Sequence, residues 1–178
     1  MKKSVSIPEG VKINVNEMRV TVSGNGNELE RDFHDQMFFG KMRIAQEENM
    51  IVVSSLIEKR RVKAFVGSVA AHIKNMVKGV GSEYVYKMKI VYVHFPMTVK
   101  VGNGQVLITN FLGEKKPRKA AIMDDVKVEV KKDEVIITSH NKESAGQTAA
   151  NIEGATRITR RDRRVYQDGV YIVEKGKL

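Results

Sequence analysis

The chain carries one pattern twice, in the same order, and this repeat constrains its fold more than any other feature. Pro8 leads to Val11 and Ile13 as Pro96 leads to Val99 and Val101. Ile51-Val52-Val53-Ser54-Ser55 returns as Val135-Ile136-Ile137-Thr138-Ser139. Gly67-Ser68-Val69-Ala70-Ala71-His72-Ile73 returns as Gly146-Gln147-Thr148-Ala149-Ala150-Asn151-Ile152. The offset drifts from 88 at the prolines to 79 at the glycines, as happens when loops change length. A period of about 80 residues is too long for a solenoid. Two small domains in tandem are expected, 1–90 and 91–178, joined near residues 79–94.

Each copy reads as a hairpin, further strands, a helix and a strand. In the first, Val11, Ile13 and Val15 alternate, and so do Val20 and Val22. Ser23 to Asn27 is a Gly/Asn turn, Glu28 to Gln36 is acidic and polar, and the apolar run Met37, Phe38 and Phe39 follows. Met42 with Ile44, and then residues 50–55, read as strands. From Arg60 to Lys78 the period becomes helical, with Val62, Phe65, Val66, Val69, Ile73, Met76 and Val77 on one face and Gly79 placed to end it. Residues 84–93 resume a strand. In the second copy, Ser144 with Gln147 reads as a capping box. Thr148, Ala149, Ile152, Ala155 and Thr156 then form a narrow face of small residues suited to close packing on a sheet. Strands on either side of one helix predict an α+β fold in each copy, a small antiparallel or mixed β-sheet with one main helix packed on one face. Residues 1–4 and 174–178 show no pattern that assigns them a structure.

Charge points to the partner. Lysine and arginine outnumber aspartate and glutamate 31 to 21, giving a net charge of +10, which favours a polyanion such as nucleic acid. Net charge does not choose between the copies, since 1–90 carries 15 basic against 10 acidic residues and 91–178 carries 16 against 11. Clustering does choose. The stretch NFLGEKKPRKA holds Lys115, Lys116, Arg118 and Lys119, where the first copy has Glu28, Glu30 and Asp32. A second cluster follows the second helix: Arg157, Arg160, Arg161, Arg163 and Arg164, offset only by Asp162. Guanidinium forks match phosphate geometry, and Tyr166 beside them offers a ring that can stack on a base or ribose. Asp168-Gly169 reads as a turn leading into the strand Val170-Tyr171-Ile172, not as a metal site.

The sequence favours no chemistry of its own. His34, His72, His94 and His140 are scattered outside any nucleophile or metal motif, and Asp124-Asp125 reads as a solvated turn. Gly24-Asn25-Gly26 and Gly102-Asn103-Gly104 are hairpin turns, not dinucleotide fingerprints, because no helix opens after them. No cofactor, metal or small-molecule substrate is implied. Cysteine is absent, which excludes disulfides and thiolate metal sites. No apolar run is long enough to span a bilayer, and the basic segments lack the apolar face of a membrane-surface helix. A cytoplasmic protein is expected. A free-standing RNA- or DNA-binding regulator fits the same charge pattern.

Four stretches together resemble the L-six family of large-subunit ribosomal proteins: FPMTVKV, NFLGEKKPRKA, the Gly-Gln-Thr-Ala-Ala helix start, and Arg164-x-Tyr166-x-Asp168-Gly169-Val170-Tyr171-Ile172-x-x-Lys175. The last is similar to the archaeal and eukaryotic branch, although Tyr166 stands where phenylalanine is common. The resemblance covers nearly the whole chain. It implies binding to large-subunit ribosomal RNA, mainly by the C-terminal domain, near the sarcin–ricin loop and the stalk base where translation factors dock. It implies that the basic hairpin, the arginine run, Tyr166 and Lys175 touch RNA. It also implies that the N-terminal domain is the more exposed half, facing neighbouring ribosomal proteins or factors.

Overall fold

The computed structural model describes residues 1–178 apart from Phe39, Arg160 and Leu178, with Lys177 described by its backbone alone. The Phe39 end of the apolar 37–39 run therefore lies outside the described residues. The chain divides into two compact units, Met1–Ser82 and Glu83–Leu178.

The first unit contains β1 (Lys2–Ser6), β2 (Lys12–Asn16), β3 (Arg19–Gly24), β4 (Asn27–Asp32), β5 (Met42–Glu47), β6 (Met50–Ser55) and α1 (Arg60–Gly81). The strands form two antiparallel sheets, β1-β6-β5 and β2-β3-β4. Helix α1 forms because its apolar residues repeat at helical spacing. Its buried stripe of Val66, Val69, Ala70, Ile73, Val77 and Val80 packs in one core with Val5, Val20, Val22, Ile51 and Val53. Each fully buried Val or Ile side chain there contributes about 1.5–3 kcal/mol. Phe65 and Met76 sit at the stripe's edge, half-buried, and Phe65 stacks on Phe38 with ring centroids 4.2 Å apart. Asn25 and Gly26 both take positive φ, +50° and +79°, which is the backbone a two-residue turn between β3 and β4 requires.

The second unit repeats this order with one addition. It runs β7 (Tyr84–Val91), β8 (Thr98–Gly102), β9 (Gln105–Thr109), a 3-10 turn at Phe111–Gly113, β10 (Arg118–Ala121), β11 (Lys127–Lys131), β12 (Glu134–Ser139), α2 (Lys142–Ala155) and β13 (Gly169–Lys177). Its sheets are β10-β9-β8 and β11-β12-β7-β13, again antiparallel. The small face of α2 is buried as its composition requires, through Ala145, Thr148, Ala149 and Ile152. The extra strand β13 closes the open edge of β7.

Each copy has the expected α+β fold, its strands divided between two small antiparallel sheets. Three expectations are corrected. Residues 27–32 form β4, held by antiparallel pairing with β3 and by Leu29 packed against the core. Helix α2 begins at Lys142, capped by Asn141, whose Oδ1 accepts the Glu143 N–H at 3.0 Å; the Ser144 capping box lies inside it. Strand β7, expected as the strand that ends the first copy, is part of the second unit, because it bonds β12 on one side and β13 on the other. The division accordingly falls between Ser82 and Glu83, earlier than residue 90.

Candidate nucleic-acid interface

The two basic segments of the second unit lie far apart in sequence, and a single side chain joins them. The first segment is the connection from β9 to β10. Asn110, in the left-handed region, begins it and donates from Nδ2 to the Pro96 carbonyl at 2.9 Å. Gly113 turns the chain at φ +78°, with the Phe95 ring 3.6 Å from where a Cβ would stand. The second segment connects α2 to β13. It is fixed at both ends: buried Thr156 accepts the Val170 N–H at 3.0 Å and donates to the Glu153 carbonyl, while Glu153 Oε1 accepts the Ile172 N–H at 3.2 Å.

Arg118 is the joint. Its Nη1 donates to the carbonyls of Ala155 and Arg157, at 2.9 and 3.1 Å, where the last turn of α2 leaves acceptors without helical partners. Its Nε and Nη2 form a fork onto Glu114, at 2.8 and 2.6 Å. The guanidinium lies 4.3 Å over the buried Phe111 ring. The Arg118 hydrogen bond holds the Glu114 carboxyl below its ordinary value; slight burial opposes this, and the charges of Arg118 and Arg161 add to it. Arg118 is 25% exposed, and its donors face inward. The sequence grouped it with the candidate phosphate contacts; its geometry shows it joining the two segments.

The arginine run is also partly self-organised. Asp162 accepts the Arg164 N–H at 2.9 Å and pairs with the Arg164 guanidinium, and these hydrogen bonds hold its carboxyl below the usual range. The Asp162 carbonyl accepts the N–H groups of Val165 and Tyr166, closing a turn. Tyr166 is half-buried, with His94 stacked at 4.6 Å and the Arg161 guanidinium 4.7 Å over its ring. A base stacking there would have to displace one of these neighbours. Arg160 lies outside the described residues. Lys115, Lys116, Lys119, Arg157, Arg163 and Lys175 are exposed, and none has a side-chain hydrogen bond or ion pair among the described residues. These are the cations with donors available to phosphate.

Asp168 is where sequence reasoning fell short. It is 1% exposed and accepts from the backbone N–H groups of Val93 and His94, at 3.1 and 3.4 Å, and from His94 Nδ1 at 3.2 Å. Burial alone raises its pKa, but these hydrogen bonds outweigh that and hold it below the ordinary value. The turn assignment for Asp168-Gly169 is therefore incomplete, since Asp168 anchors the strand β7 exit beneath Tyr166. His94 looked isolated because its partners lie more than seventy residues onward, and no local pattern marks such a pairing. Tyr171 donates from its hydroxyl to the Gln167 carbonyl at 3.2 Å.

With this geometry in hand, comparison with known proteins is informative. The sequence model of a family described as Ribosomal protein L6 matches residues 7–83 and again 95–169, one match per repeat. The "Large ribosomal subunit protein uL6" of Methanothrix thermoacetophila is 46% identical over 173 residues, covering 97% of this chain and 96% of that protein. Proteins of the same description from Aeropyrum pernix and Methanosphaera stadtmanae are 48% and 51% identical, covering 96% of this chain and 92% and 91% of theirs.

Proposed function

The chain belongs to the ribosomal protein L6 family, and on that premise we propose that its second unit anchors it on large-subunit ribosomal RNA through one composite surface. As a member of that family it is a structural, non-enzymatic component of the large ribosomal subunit, associated with ribosomal RNA and other ribosomal proteins. The surface combines the Lys115–Lys119 segment with the Arg157–Arg164 segment. The carrying observation is the Arg118 bridge, which ties both loops together while Lys115, Lys116, Lys119, Arg157 and Arg163 stay exposed. RNA duplexes bury their base edges in a deep, narrow major groove, so such a surface reads backbone shape and phosphates. The region contacted is the factor-binding neighbourhood, near the sarcin–ricin loop and the stalk base. The first unit is the more exposed half, turned toward other proteins and translation factors.

The test is the salt dependence of binding between the full chain and large-subunit RNA. About six phosphate contacts give a slope of log K against log salt near −4 to −5. Replacing Lys115, Lys116, Arg157 and Arg163 together with glutamine should flatten it by about 3. An unchanged slope in a folded variant overturns the assignment.

A further inference from the structure

The two units differ in one place that the repeat makes readable. In the second unit the outer edge of β7 is covered by β13. In the first unit, the corresponding strand is β1, and its outer edge has no strand beside it among the described residues. Register aligns the two strands. Ser4 opposes Val52 as Lys87 opposes Ile136, and Val52 and Ile136 are repeat equivalents; Lys2 and Ser6 then match Val85 and Lys89. In the second unit β13 lies in register with β7 from Val85 to Val91, and the Ile90 N–H bonds the Asp133 carbonyl on the β12 side, so the backbone groups of Val85, Lys87, Lys89 and Val91 are the ones turned toward β13.

The backbone of β1 is set to do the same. The Ser55 N–H bonds the Met1 carbonyl and the Ile7 N–H bonds the Asn49 carbonyl, so the bonded pairs with β6 fall at odd-numbered residues of this strand. Antiparallel pairing alternates, so the N–H and C=O groups of Lys2, Ser4 and Ser6 point away from β6. All three residues are exposed. Beside them a groove of about 260 Å³ is lined by Ser4, Val5, Ser6, Lys74, Val77 and Lys78, with Pro8 at its end. At the repeat offset, Lys74, Val77 and Lys78 stand where Glu153, Thr156 and Arg157 stand in α2. Glu153 and Thr156 are the residues that accept N–H groups of β13. The first unit thus keeps the strand position and its helix wall, but replaces the carboxylate acceptor with a lysine.

We propose that this position receives an extended, acidic segment of another protein of the large subunit, added as a fourth strand on β1. Backbone bonds to Lys2, Ser4 and Ser6 supply the pairing, and Lys74 and Lys78 select carboxylates. The groove lining contains no carboxylate, and Lys2, Lys3, Lys74 and Lys78 have no ion-pair partner among the described residues. A second copy of the chain is disfavoured, because two β1 edges would set lysines against lysines. A phosphate backbone would answer the lysines but leave the alternating donors and acceptors of the strand edge unmet. The source of the partner rests on membership of the large subunit, not on the RNA surface of the second unit.

The test uses the full chain and two synthetic ten-residue peptides, one alternating valine with glutamate and one alternating valine with lysine. Amide exchange and chemical shifts are followed by NMR. The Val/Glu peptide is expected to protect the Ser4 and Ser6 amides, and the Val/Lys peptide is expected to bind at least ten-fold more weakly. Ser4→Pro removes an outward N–H without breaking a β1–β6 bond, and should abolish peptide binding. Lys74→Glu, which leaves β1 intact, should reverse the preference between the peptides. Both variants should bind large-subunit RNA with the wild-type salt slope, which separates this inference from the RNA surface. Three results overturn it: equal binding of both peptides, protection of the edge by an RNA duplex but not by peptide, or dimerisation through β1 of the free chain.

Discussion

Substituting Arg118 with methionine separates the two roles that a cation in the β9–β10 connection can have. Methionine keeps an unbranched apolar stem and removes the charge and every donor. The lost interactions are unequal. The two bonds from Nη1 to the Ala155 and Arg157 carbonyls are charge-assisted, the first part-buried and the second exposed, and together contribute about 2–3 kcal/mol. The Glu114 fork is more exposed on the glutamate side, so it adds at most about 1 kcal/mol. The cation over Phe111 adds about 0.5–1 kcal/mol. Because these share one side chain they do not sum fully, and a loss of about 2–4 kcal/mol follows. For a unit of this size that lowers the melting temperature by roughly 10–20 °C. Differential scanning calorimetry of the full chain reads this as a downward shift of the transition belonging to the second unit. Lys116→Met is the control: exposed and unpaired, it should leave melting unchanged and flatten the salt slope of RNA binding by about 0.7–0.9. Arg118→Lys should not rescue stability, because a single ammonium cannot meet Glu114 and two carbonyls together. The reasoning fails if Arg118→Met melts with the wild type and flattens the slope as Lys116→Met does.

Other consequences follow from the same geometry. Asp168→Asn should destabilise the second unit by about 2–4 kcal/mol in chemical denaturation, since it weakens a buried cluster of three hydrogen bonds. Because the Asp168 carboxyl is held below its unfolded value, its contribution is present above that value and disappears as pH falls through the folded pKa; wild type should lose stability on acidification below about pH 4 more steeply than Asp168→Asn. Thr156→Val leaves the buried Val170 N–H without an acceptor and should cost about 1–3 kcal/mol, read by urea denaturation. Gly146→Ala brings a Cβ to 3.2 Å from the Tyr86 hydroxyl, so a modest loss of thermal stability is expected despite alanine's better helix propensity.

The duplication, both helices and most strands were legible because each is written in periodicity. Helix α1 repeats seven apolar residues at helical spacing, and β12 repeats β6 nearly residue for residue. The Asn-Gly turns were legible because their positive φ angles demand those residues. Strand β1 was not, since Val5 is its only buried residue and its stability comes from pairing with β6. Strand β7 was legible as a strand but was counted with the first copy, whose helix it follows, because its pairing with β12 and β13 is entirely long-range. Within the site, the clusters were visible as charge but the roles were not. Lys115, Lys116 and Arg118 are equivalent cations in a sequence. Only the proximity of the α2 carbonyl ends decides that Arg118 is held and the lysines are not. Tyr166 was legible as a ring beside arginines, whereas its stacking on His94 depends on Asp168 fixing the β7 exit.

The 115–119 and 157–164 segments are proposed to form one RNA-binding surface. The chain has no cysteine, so Lys116→Cys and Arg163→Cys each give a single attachment point for a tethered hydroxyl-radical reagent. Each labelled full-length chain is bound to large-subunit RNA and the cleavage sites are mapped. One composite surface predicts overlapping cleavage by the two labels in the same RNA neighbourhood, near the factor-binding region. Cleavage in separate RNA regions, or by one label alone while both chains bind, contradicts it.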